Sequence, residues 1–159
     1  MRLTPRGLWA FGRLIPVTIG RGGITRTKTE GDGGTPVGTH RIVGTLYRPD
    51  RMAPPAPWAI PIGLRDRWSD DAARTDYNQM VRAPYPGSSE ALRRSDPLYD
   101  LILLTDWNWP EAMPGAGSAI FLHRWRRPGA PTEGCIAMAP AQLRWLAARA
   151  APGTVLIVP

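Results

Sequence analysis

The chemistry of this chain centres on one stretch, Ile120 to Met138, which holds the only cysteine and one of the two histidines. His123 closes the apolar run Ala119-Ile120-Phe121-Leu122. Cys135 opens another, Ile136-Ala137-Met138. Each run is short, apolar and bounded by turn residues, the pattern of a buried strand. Two adjacent strands joined by the intervening Pro/Gly-bearing loop would bring an imidazole and a thiol together. A thiol is a strong nucleophile only as thiolate, and a neighbouring imidazole is a common base for making one. The competing reading of a single cysteine beside Ile and Met is a small buried core residue.

The elements that must position this pair follow from composition. With 159 residues the sequence predicts a single domain, 1–159, large enough for its own core. Seventeen glycines and eighteen prolines favour turns over long helices, so the expectation is a mainly β fold, a curved sheet, sandwich or barrel. Leu8 to Ile19 reads as a hairpin with Gly12-Arg13 in a type II′ turn. Thr25 to Thr39 is a Gly-rich polar loop; no Gly-Lys-Ser/Thr follows it, so it is not a P-loop. Five prolines between Pro49 and Pro61 exclude a helix or central strand there. The polar stretch from Trp68-Ser69-Asp70-Asp71 through Asp76-Tyr77-Asn78 reads as irregular. Ser88 to Arg94 reads as a short helix, from its acidic start and basic end. Leu98 to Leu104 is a buried strand in which Asp100 needs a partner. One helix is expected near the C-terminus, about 140–150, with Pro140 at its first position and Gly153 ending it, followed by a last strand over Thr154–Val158.

His123, the loop, and Thr132-Glu133-Gly134-Cys135-Ile136 resemble the signature of the L,D-transpeptidase (YkuD) family, a His followed by Ser/Thr-x-Gly-Cys-Ile/Val. Upstream, Gly31-Asp32-Gly33-Gly34-Thr35-Pro36-Val37-Gly38-Thr39 is similar to that family's Gly-Asp-x-x-Thr-Pro-x-Gly segment. The resemblance spans nearly the whole chain and implies a YkuD-like β-sandwich or barrel acting as a peptidoglycan L,D-transpeptidase of cell-wall synthesis. It implies Cys135 as nucleophile, His123 as base and acid, and Gly134 as the small residue whose backbone, with that of Cys135, faces the oxyanion. The implied reaction is acyl transfer through a thioester, from a stem peptide to a diaminopimelate side-chain amine. The alternatives are hydrolysis as an L,D-endopeptidase or carboxypeptidase, and a non-catalytic peptidoglycan-binding module.

The sequence departs from the family pattern at two places. Ala137 stands where Arg is common, and Arg124 follows His123 where Gly is usual. A substrate-carboxylate clamp is therefore expected at Arg124, Arg126 or Arg127, and a non-standard donor position, such as the bond after L-Ala, goes with that shift. Thr132 replaces the common Ser and is a further candidate substrate contact. Tyr77 and Asn78 are others, since they offer a stacking face and an amide. His40, alone in its strand, reads as structural.

The resemblance implies no cofactor, and one cysteine with two dispersed histidines lacks metal-ligand spacing. A net charge of +7 suits solubility and anionic partners, the stem peptides of peptidoglycan among them. Arginines scattered along the sequence, without a recognised motif, argue against nucleic acid. No apolar run is long enough to span a bilayer, so stable membrane insertion is not expected. The family points to the periplasm or cell envelope. No signal peptide is visible in this sequence, because Gly12-Arg13 interrupts the apolar Leu8–Phe11.

Overall fold

The computed structural model describes residues 1–159. It is mainly β, with fifteen strands and one helix. The strands are β1 (Arg2–Thr4), β2 (Gly7–Ala10), β3 (Arg13–Ile15), β4 (Val17–Thr18), β5 (Ile24–Thr25), β6 (Thr35–Pro36), β7 (Gly38–Tyr47), β8 (Ala59–Pro61), β9 (Asp66–Ser69), β10 (Met80–Arg82), β11 (Ser89–Ala91), β12 (Leu101–Thr105), β13 (Phe121–Arg124), β14 (Ile136–Met138) and β15 (Val155–Val158). The helix α1 covers Pro140–Ala147.

Most strands join one sheet in the order β3-β2-β1-β15-β7-β12-β13-β14-β4, with β8 added beside β7. Its two end strands, β3 and β4, are separated in sequence by Pro16 alone. Proline cannot donate to a ladder and breaks the pairing there, so the chain itself turns the corner. β2 and β4 approach each other, and the sheet is nearly closed, as the β-sandwich or barrel expectation requires. Long β7 is the spine: its first half pairs with β15 and its second with β12.

Apolar side chains on the inner face make a core of Leu3, Leu8, Ile42, Leu103, Leu122, Ile136 and Leu156, against which α1 sets Leu143, Leu146 and Ala147. Pro140 opens α1, where its missing N–H would have no partner anyway. The helix stops at Ala147, earlier than expected; Gly153 instead makes a left-handed turn (φ +91°) into β15. A second core, Leu46, Trp68, Leu92, Tyr99, Ile102 and Phe121, lies beneath the site and includes Cys135.

Three local expectations are corrected. The β2–β3 loop is Phe11-Gly12, with both residues at positive φ (47° and 78°), which is a type I′ turn rather than type II′. Ser88 to Arg94 contains no helix: Ser89–Ala91 forms β11, paired antiparallel to β9. The polar stretch around Trp68 is not irregular throughout either, because β10-β9-β11 make a separate three-stranded sheet. In both cases tertiary pairing overrides a weak local signal. Within the proline-rich stretch only β8 is extended, as an addition at the edge of β7, where Pro61 is tolerated. The expected strand over Leu98–Leu104 begins only at Leu101, so Asp100 lies just before β12, partly exposed, and pairs with Arg51 at 2.6 Å.

Candidate active site

β13 and β14 are parallel neighbours, in register Leu122↔Ile136 and His123↔Ala137. Cys135 immediately precedes β14, so extending the register sets it beside Phe121, two residues short of His123's partner Ala137 and therefore on the same face as His123. Both residues line one cleft of about 710 Å³, although they are only 7% and 8% exposed.

His123 Nδ1 donates to the Arg124 carbonyl at 2.7 Å, which leaves Nε2 as the basic atom. The edge of the ring meets Tyr99 at 5.3 Å between centroids. Burial lowers its pKa from 6.5 to about 4, against the opposing pull of the Arg124 carbonyl. The Cys135 thiol donates to the Ala119 carbonyl at 3.1 Å and accepts the Phe121 N–H at 3.4 Å. Burial raises its pKa to about 12, opposed by the Phe121 N–H. Both groups are therefore neutral at pH 7. The resting thiol and imidazole are thus a neutral pair and not an ion pair.

The two sequence motifs meet at the turn before the cysteine. The Thr35 hydroxyl, fully buried, donates to the Gly134 carbonyl at 2.7 Å and accepts the Gly20 N–H at 2.9 Å. Gly134 sits at φ +138°, and a Cβ there would lie 2.9 Å from the Gly34 carbonyl oxygen. Only glycine fits that approach. Asp32 shapes the other side of the contact: its carboxylate accepts the Gly34 and Thr29 N–H groups at 2.7 and 2.9 Å and pairs with the buried Lys28 at 2.6 Å. These contacts hold its pKa below the ordinary carboxylate value, although desolvation opposes them.

Thr132 lines the cleft, yet its hydroxyl is committed to the turn: it donates to the Cys135 carbonyl at 2.6 Å and accepts the Gly134 N–H at 3.2 Å. The Gly134 N–H is thus engaged in this state, and the Cys135 N–H is the donor left without a protein partner.

Other sequence candidates fall elsewhere. Tyr77 and Asn78 are buried and do not line the cleft. The Tyr77 hydroxyl donates to Glu30, and burial together with that contact pushes the phenol pKa up. Asn78 has a fully engaged amide. Its oxygen accepts Trp68 Nε1–H at 2.8 Å and the Ala119 N–H at 3.0 Å, and its nitrogen donates to the Trp107 and Asn108 carbonyls. It holds Ala119, whose carbonyl takes the Cys135 thiol, and so braces the cleft from behind. Arg124 contributes its backbone carbonyl to His123 but does not line the cleft; Arg126 and Arg127 do, and neither has an ion-pair partner. His40 lies outside the cleft, bonded to the Pro36 carbonyl at 3.1 Å.

Sequence reading missed the acidic wall of the cleft. Glu90 on β11 accepts the Tyr99 hydroxyl at 2.9 Å and pairs with Arg94 at 3.3 Å, while burial raises its pKa. Asp70 and Glu30 line the same side. Glu90 was hidden by the helical reading of its segment, and Thr35 by the distance in sequence to its partner.

A nearly closed β-sheet that carries a thiol and an imidazole on adjoining parallel strands, over a polar cleft, defines a protein of the cysteine–histidine class. Within that class the assignment is specific: the family model described as the L,D-transpeptidase catalytic domain, YkuD, matches residues 7–158, and the chain belongs to that family. No curated protein and no solved structure matches it. Members of the family act on peptidoglycan and are generally associated with the cell envelope. No helix here is long and apolar enough to cross a membrane.

Proposed function

We propose that this protein is a peptidoglycan L,D-transpeptidase that works through a Cys135 thioester. The Cys135 thiol leaves the Ala119 carbonyl and gives its proton to His123 Nε2 as sulfur attacks an amide carbonyl of a stem peptide. The C–N bond then breaks, and the imidazolium returns the proton to the leaving amine. A diaminopimelate side-chain amine attacks the thioester, His123 takes its proton, and the C–S bond breaks as the thiolate is reprotonated. The Cys135 N–H meets the developing oxyanion, joined by the Gly134 N–H when it releases Thr132; one such donor is worth roughly 3–4 kcal/mol of barrier.

The single observation that supports this reading is the convergence on one cleft of Cys135, His123 and the Gly134 turn, locked by Thr35 from the distant Gly-rich segment. Unpaired Arg126 and Arg127 at the rim are suited to substrate carboxylates, which fits a donor position other than the usual one. The protein acts at the cell envelope in this reading.

One observation favours a second reading. The thiol rests on a backbone carbonyl and not on the imidazole, as an inert cysteine in a peptidoglycan-binding module would. Muropeptide analysis separates the two. Sacculi incubated with the wild-type protein gain cross-linked dimers that are absent with Cys135→Ala. Shortened stems without new dimers indicate hydrolysis, and identical profiles for both proteins refute catalysis.

A further inference from the structure

The charge of this molecule is divided along the chain. Residues 1–29 and 134–159 carry eight basic side chains and no acidic one, whereas residues 30–133 carry twelve basic and thirteen acidic. The net +7 therefore comes entirely from the terminal segments. The topology gathers what the sequence scatters: β1, β2, β3 and β15 are consecutive in the sheet, and α1 packs beneath them. Of the eight, only Arg21 and Lys28 have ion-pair partners, and those partners lie in the middle segment. Arg2, Arg6, Arg13, Arg26, Arg144 and Arg149 have none.

The β2–β3 hairpin exposes apolar side chains on its outer face. Register aligns Arg2 with Trp9 and Trp9 with Leu14, so the three form one outward row across the hairpin. Trp9 is 51% exposed and Leu14 41%. At the hairpin tip Phe11 is 49% exposed, its ring edge-on to Trp145 at 6.2 Å. On the opposite, helix-side face Arg13, paired with buried Ala10, lies over the Trp145 ring together with Arg149, at 4.7 and 4.4 Å.

We propose that the tip of this hairpin, with the side chains on both of its faces, docks the protein on the surface of an anionic lipid bilayer. Indole and guanidinium groups suit the headgroup zone, where an apolar body is buried while a polar or charged end stays wet. Phe11, Trp9 and Leu14 enter the headgroup–acyl boundary, and Arg2 and Arg13, one on each face of the hairpin, meet lipid phosphates. A second copy of the chain is a poor occupant, because a two-fold contact would set the same unpaired arginines against one another with no acid between them. A hairpin whose exposed row holds one indole between an arginine and a leucine offers no run of aromatic platforms for stacked bases. The contact is peripheral and independent of the chemistry at Cys135.

The test is co-sedimentation of the full chain with vesicles of phosphatidylglycerol and phosphatidylcholine, against phosphatidylcholine alone, at low and high salt. Binding to the anionic vesicles is expected, falling with salt. It should weaken roughly fivefold for each of Arg2→Gln and Arg13→Gln. The double variant Trp9→Ser/Leu14→Ser should bind at least tenfold more weakly, with wild-type thermal stability and unchanged reaction of Cys135 with a carbapenem. Equal sedimentation with neutral vesicles, or unchanged binding by the variants, overturns the proposal. So does dimerisation in analytical ultracentrifugation that these substitutions abolish, or displacement from the vesicles by a DNA or RNA duplex with matching loss in the variants.

Discussion

Burial keeps His123 neutral in the folded protein, with a pKa lowered from 6.5 to about 4. A depressed folded-state pKa stabilises the protein above the unfolded value, and that contribution is lost as pH falls from 6.5 towards 4. The urea midpoint should therefore decline across this window in the wild type, and more weakly in His123→Gln. Cys135 has the opposite sign: its raised pKa means stability is lost as pH climbs from 9 towards 12, a loss that Cys135→Ala should reduce. Acylation of Cys135 should fall at acid pH with a midpoint near 4, and His123→Ala should slow it by roughly 10²–10⁴-fold. Cys135 and His123 were legible in the sequence because residue type and flanking pattern both marked them. The place of Asn78 behind the cleft was not legible, for a physical reason. An amide's role depends on which donors and acceptors surround it, and its partners Trp68, Trp107, Asn108 and Ala119 come from separate elements.

Elements make the site by contact between turns. The Gly-rich segment before β7 and the turn before β14 touch through Thr35 and Gly134. Thr35→Val strands the Gly134 carbonyl and the Gly20 N–H, each buried group costing about 1–3 kcal/mol. Carbapenem acylation of this variant should drop more than chemical denaturation alone explains, and Thr35→Ser should restore it. Gly134→Ala adds backbone strain of about 1–3 kcal/mol to a Cβ 2.9 Å from the Gly34 oxygen, so it should both destabilise the protein and silence the site. The strands around the pair, and α1 after it, could be read from apolar runs and from Pro140. The β9–β10–β11 sheet could not. Its strands are short and polar, and only their mutual pairing, with Glu90 tucked against Tyr99, makes them extended.

Across the whole molecule the mainly β character was legible from glycine, proline and short apolar runs, whereas the strand order was not, because it depends on pairings distant in sequence. The clearest case is β15, which lies between β1 and β7 in the middle of the sheet. Deleting residues 155–159 should thus abolish cooperative thermal unfolding, although it removes no residue of the cleft. Closure of the sheet around Pro16 and docking of the two motif turns together deliver one thiol and one imidazole to one cleft. The central claim is that this thiol can be acylated, and intact-protein mass after incubation with a carbapenem tests it most directly. The account predicts a single covalent adduct on the wild type, mapped to Cys135, absent from Cys135→Ala and greatly slowed in His123→Ala. An unmodified wild-type mass, or an adduct that persists in Cys135→Ala, would contradict it.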